Sequence, residues 1–125
     1  MDNISPKLQN MITQYQELTQ RIQTFATQRY TLEVQSKELE KAISELEKSK
    51  DDAIVFRSAG NLLIQSKDRT ALLSELKEQK ETIDVRSGSF EKQEKQLRER
   101  HAQLQKQISE ELGGPIGEGE EPEAG

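Results

Sequence analysis

From Leu8 to Leu46 the apolar residues of this chain fall on a seven-residue grid. One column reads Met11, Leu18, Phe25, Leu32, Leu39 and Leu46, with Ile4 one step earlier; the other reads Leu8, Tyr15, Ile22, Arg29, Ser36 and Ile43. Alternating steps of three and four keep a single stripe turned toward a partner helix, which is the signature of a coiled coil. Ser5 is placed to accept from the first free amides and Pro6 suits the first helical position. A helix is therefore expected over residues 5–50.

A second helix, expected over residues 68–112, repeats the period. Leu76, Ile83, Phe90, Leu97 and Leu104 are seven apart, with Leu73 and Ile108 on the neighbouring column. Between those two, that column holds Lys80, Ser87, Glu94 and His101, so the second seam is half as apolar. Asp68 or Thr70 can cap its start. Leu112-Gly113-Gly114-Pro115 is a stop signal, with Gly suited to the left-handed cap and Pro unable to continue the helix. The Gly/Pro/Glu tail, residues 113–125, is expected to be disordered.

Folding one arm onto the other brings Leu39 to Leu76, Leu32 to Ile83, Phe25 to Phe90, Leu18 to Leu97 and Met11 to Leu104. Any two strict heptads offer some such register. The alternative is two arms pairing in parallel with other chains, which the short break between them argues against. Arms of about 45 residues would be roughly 65–70 Å long, with their free ends together.

The break, residues 53–66 (AIVFRSAGNLLIQS), has Arg57 as its only charge. Ile54, Val55 and Phe56 precede a turn at Gly60, and Leu62, Leu63 and Ile64 follow it. Two short β-prone runs around a glycine able to take positive φ predict a β-hairpin. A continuous helix and an apolar helix–helix turn are the alternatives. A lone hairpin is marginal in water, its edges are open, and this one has apolar residues on both faces. It should be buried against copies or relatives of itself.

Composition agrees. The 125 residues are 31% hydrophobic and 33% charged, with no Trp and no Cys. That suits one domain of long helices rather than a thick core. Without cysteine there is no disulfide framework and no thiolate site. No secretory signal or membrane span is read in the chain, so a cytoplasmic protein is expected. The net charge is −5, but the tail holds four Glu and no basic residue. The remaining residues, 18 basic and 19 acidic, are near neutral. Interspersed signs offer neither a basic stripe for nucleic acid nor a basic membrane-surface face.

No catalytic constellation is visible, and an enzyme is not expected. His101 lies alone on a coil seam, and the carboxylates are spaced with Lys and Arg as ordinary helix pairs. No glycine-rich phosphate loop and no metal set is present, so no cofactor is expected. The unusual feature is where charge is missing. Residues 8–28 contain only Glu17 and Arg21 as charges, whereas residues 37–52 are dense in Lys and Glu. Near the neutral end, Ile4, Leu8, Met11, Ile12, Leu104, Ile108 and Leu112 gather at the arm tips. They read either as an interaction surface exposed by fraying or as the last heptads of the seam, buried on each other. Tyr30 and Val34 form a smaller off-seam patch. Ser87-Gly88-Ser89 is expected to be a soft joint in the second arm, since mid-helix Gly costs about 1 kcal/mol relative to Ala.

Helix, charge-poor hairpin, helix and acidic tail together resemble the β-class prefoldin subunits of archaeal type. Val55-Phe56-Arg57-Ser58-Ala59-Gly60-Asn61-Leu62-Leu63-Ile64 resembles the family's V-[YF]-[KR]-x-x-G-x-x-L-[IV] run, and Tyr15-Gln16-Glu17-Leu18 its early Gln/Leu-rich element. Glu91 to Leu97 resembles the family's Glu/Gln-rich second helix. Asn61 stands where some relatives have Pro. The likeness covers about residues 5–112.

The resemblance implies a mainly α fold, a long antiparallel two-helix coiled coil joined by a single β-hairpin that assembles into an intersubunit β-barrel. It implies a hexamer of two α-class and four β-class subunits. Ile54, Val55, Phe56, Gly60, Leu62, Leu63 and Ile64 would form the oligomer interface. The tips would hold unfolded client proteins, without ATP, for delivery to a group II chaperonin. A structural coiled-coil tether, oligomerised through its hairpin and binding one specific partner, is the competing expectation.

Overall fold

The computed structural model describes residues 4–113. Its elements follow the order α1 (Pro6–Lys48), β1 (Val55–Ala59), β2 (Leu62–Ser66) and α2 (Arg69–Leu112). The helix–hairpin–helix reading stands, and each five-residue strand extends past its apolar run. Ile54 lies just before β1 rather than in it. The disorder expected of the acidic tail falls on residues 114–125, outside the described residues.

Local chemistry accounts for the boundaries. Ser5 Oγ accepts from the Leu8 amide at 3.0 Å, and Asp68 Oδ1 accepts from the Ala71 amide at 2.9 Å. Each is an N-cap that satisfies one of the first free amides of its helix. Of the two cap candidates for α2, Asp68 is the one used. At the other end of α2, Gly113 takes φ +82°, the left-handed stop expected of it. Gly88 has no positive φ and α2 runs unbroken through it.

The described residues divide into two compact units, one comprising residues 4–28 with 90–113, the other Arg29–Ser89. In the first, the core is Leu8, Leu18, Leu104 and Ile108, with Ile4, Met11, Ile12, Tyr15 and Leu97 packed against it. The Phe25 and Phe90 rings lie 5.5 Å apart, one of the seam pairs expected from the antiparallel register. In the second unit Leu32, Ile43, Leu46 and Leu72 are buried.

Several of the polar seam positions are partnered. In the second unit the Ser36 hydroxyl donates to Asp84, and the Lys80 ammonium donates to the same carboxylate at 2.8 Å. The Lys80 bond first, and the Ser36 bond next, hold Asp84 below the usual carboxylate range. In the first unit Glu94 is buried and accepts from Arg98 at 2.8 Å. Buried polar groups that are satisfied in this way limit which registers a helix pair can adopt.

Candidate functional site: an open hairpin and a terminal apolar cluster

The hairpin is a two-stranded antiparallel sheet closed by the two-residue turn Gly60-Asn61. Gly60 has φ +63° and Asn61 does not share its positive sign, the pattern of a type II′ hairpin turn with glycine at its first central position. The register pairs Arg57 with Ile64 and Ser58 with Leu63. Side chains alternate across a strand. One face therefore carries Val55, Arg57, Ala59, Leu62 and Ile64, and the other Phe56, Ser58, Leu63 and Gln65.

Both faces are thus apolar in part, and both are open. Leu63 is 73% exposed, Leu62 65%, Phe56 56% and Ile64 47%. Ile54, ahead of the strand, is exposed as well, while Val55 is half-buried. Neither strand has a second neighbour among the described residues. An apolar sheet with two free edges is a template for further strand pairing.

Two arginines brace the base of the hairpin, one joining the sheet to α2 and the other joining α2 to the end of α1. The Arg57 guanidinium pairs with the Glu75 carboxylate of α2 at 3.0 Å. Arg69, at the start of α2, donates to the carbonyls of Leu46 (2.6 Å) and Ser49 (3.0 Å) and to Ser49 Oγ (3.2 Å). It also pairs with Asp51 at 3.4 Å. The last carbonyls of α1 have no intrahelical partner, and the planar fork of Arg69 supplies one. A cleft of about 520 Å³ beside β1 is lined by Ala42, Leu46, Ile54, Phe56, Leu72 and Leu76, among others.

The terminal cluster is built differently. Leu104 and Ile108 are the most buried large side chains described, at 1% and 0% exposure, and Leu8 is buried beside them. Ile4, Met11 and Ile12 are half-buried, and Leu112 is 50% exposed. Of the tip residues, three therefore form core, three flank it and one is open. The seam ends are closed on each other in this chain.

Next to that cluster the Tyr15 ring stacks on His101 at 4.2 Å, with 18° between the planes. His101 Nε2 lies 2.8 Å from Thr19 Oγ1, whose hydroxyl donates to the Tyr15 carbonyl at 3.0 Å. The hydroxyl proton being used, Nε2 is the donor to Thr19. Burial, and then the Arg98 charge, push the His101 pKa below its ordinary value.

Arg69 and the Tyr15–His101 stack are not legible in the sequence as site residues. Arg69 breaks no pattern, and Tyr15 and His101 stand in the sequence only as seam positions of their own arms. Among the described residues no cluster of His, Asp or Glu is arranged to hold a metal ion. No described helix is long and apolar enough to cross a membrane.

A family model described as prefoldin subunit matches residues 9–114 of the chain. The chain is 40% identical over 110 residues to prefoldin subunit beta of Methanosarcina acetivorans, covering 88% of this chain and 93% of that protein. It is 44% identical over 108 residues to prefoldin subunit beta of Thermoplasma volcanium, covering 86% of this chain and 87% of that protein. The crystal structure of the prefoldin beta subunit from Thermococcus strain KS-1 superposes with a TM-score of 0.81 at 35% identity. That match covers 92% of this chain and 100% of the other.

Proposed function

The chain belongs to the prefoldin family as a subunit of the beta class, a non-enzymatic chaperone component, and from that premise we propose that it is one arm of an ATP-independent holding chaperone. The observation that carries the reading is the hairpin, whose apolar side chains are exposed on both faces of a sheet with two free edges. Such a surface is stable in water only when covered. Its cover would be the hairpins of sister subunits and of an α-class subunit, closing into an intersubunit β-barrel within a cytoplasmic hetero-hexamer of two α-class and four β-class chains.

Client capture is assigned to the terminal cluster. Leu112, Ile4, Met11 and Ile12 offer apolar surface without rearrangement, and Leu8, Leu104 and Ile108 join them when the last heptads part. Helix ends open at the low end of the stability range. Weak contacts at several arms combine through effective concentration, so grip is firm while each contact stays easy to break. Transfer to a group II chaperonin then requires only competition for the client, with no nucleotide.

The test uses the complex of the full chain with its α-class partner, against the same complex lacking residues 1–12. Truncation should abolish protection of an unfolded model protein from aggregation and leave the native mass, corrected for the deletion, unchanged. Full protection by the truncated complex overturns the assignment of the tips. A stable pair with one folded, unrelated partner, in place of the hexamer, would establish the tether reading instead.

A further inference from the structure

The outer face of α1 opposite the seam carries a second heptad stripe that the apolar pattern conceals. Gln9, Thr13, Gln16, Gln20, Gln23 and Thr27 follow one another at steps of four and three, and all six are exposed. They form a continuous outward column with no charge in it. Outer coiled-coil positions are ordinarily charged, which keeps a helix solvated. The same unit shows that ordinary dress on α2, whose exposed residues from Glu91 to Glu111 include Lys92, Lys95, Arg98, Glu99, Arg100, Lys106 and Glu110. Only on α1 is the outer column of this unit free of charge.

A charged face resists being covered, because ions pay a heavy desolvation cost when they lose water. Amides and hydroxyls can be covered at little cost when a partner supplies their hydrogen bonds. Gln20, Gln23 and Thr27, with Thr24 and Gln28, line a shallow surface groove. Among the described residues the amides of Gln16, Gln20 and Gln23 have no partner within the chain, while Gln9 reaches the Ile4 carbonyl only at 3.5 Å. Gln16, Gln20 and Gln23, in the middle of the stripe, are therefore open to an outside partner, each amide both donor and acceptor.

We propose that this stripe binds the backbone of an extended, unfolded polypeptide. The inference rests on the holding function above and adds to it a second mode of contact, polar and indifferent to client sequence. A folded helix uses its backbone N–H and C=O groups internally, so a helical neighbour would present mainly its side chains to the row. An unfolded chain presents unpaired N–H and C=O groups along its whole length. Those on one side recur about every 7 Å in an extended strand. Successive stripe residues rise about 5 Å along the helix, a mismatch that the flexible Gln side chain can absorb. Side-chain affinity at the tips would select unfolded chains, and the stripe would hold them whatever their composition.

The test replaces Gln16, Gln20 and Gln23 together, once by Glu and once by Lys, in the full chain assembled with its α-class partner. The probes are reduced, unfolded lysozyme, which is basic, and reduced, unfolded α-lactalbumin, which is acidic. Both variants should bind both probes about fivefold or more weakly, the factor that goes with losing one neutral hydrogen bond, with native mass and thermal midpoint unchanged. Undiminished binding by both variants overturns the inference. So do opposite effects that follow probe charge, which would make the contact electrostatic. Loss of the hexamer overturns it too, by assigning the stripe to a neighbouring subunit. If the unaltered complex holds neither probe, the holding function fails and the stripe's role fails with it.

Discussion

The hairpin and the terminal cluster both concentrate apolar residues, yet they stand in opposite states. At the hairpin Leu62, Leu63 and Phe56 are more than half exposed, and nothing among the described residues covers them. At the terminal cluster Leu104 and Ile108 are wholly buried by the chain itself. The reason is geometric. Two helices can close a single stripe on each other, whereas a two-stranded sheet has two faces and two edges and needs other sheets. One region is left open by its own chain. The other is closed by it.

The largest test of that contrast falls on the hairpin. Replacing Phe56 and Leu63 together by Asp should abolish assembly while leaving the thermal midpoint of the isolated chain nearly unchanged, because neither side chain is buried there. Native mass spectrometry and a melting curve read the two halves of the statement. A hexamer of normal mass would break the comparison at once.

Leu104→Ala should do the reverse. Removing a fully buried Leu costs about 2–5 kcal/mol, so the melting midpoint of the isolated chain should fall while the hexamer still forms. Arg69→Ala comes next, since charge-assisted hydrogen bonds contribute about 1.5–3 kcal/mol and this side chain is partly exposed, which places the loss at the low end. Amide exchange should rise at the last turn of α1 and at the hairpin, and stay unchanged around Leu104. Faster exchange around Leu104 would show that the clamp acts well beyond the hairpin.

Two smaller effects sharpen the picture. Gly88→Ala should raise stability by about 1 kcal/mol, since nothing lies within 4 Å of the added methyl carbon and the backbone there is ordinary helix. An unchanged midpoint would mean that Gly88 is no soft joint. His101 supplies the last. Its folded pKa lies below the ordinary 6.5, so between those two values the unfolded chain binds the proton that the folded chain resists. Its contribution is present above pH 6.5 and is lost as pH falls through the folded value. His101→Gln should flatten that dependence in a melting series, and an unaltered series would remove His101 from the stability of the terminal cluster.

Much of this was legible in the residues. Heptad columns announced both helices, and the caps Ser5, Asp68 and Gly113 lie where turn and cap chemistry put them. The hairpin followed from two β-prone runs around Gly60, and its need for company followed from apolar residues in both phases. These are local rules, acting over a few residues or a constant period, so the order of residues carries them. The Arg69 clamp was invisible for the opposite reason. Its partners are some twenty residues away, and most are backbone carbonyls, which every residue has.

The burial of Leu104 and Ile108 belongs to the same class. Their periodicity shows that they belong to a seam, but it cannot say whether a seam end is shut or frayed. That balance depends on how well Leu8, Leu18, Leu104 and Ile108 pack together in three dimensions, and on the Tyr15–His101 stack beside them. What the sequence by itself determined was a single-hairpin coiled coil that requires partners, because period, turn chemistry and phase are properties of neighbours along the chain. What only the tertiary structure decided was which apolar groups wait for those partners and which are already satisfied, because burial is settled by residues distant in sequence and near in space.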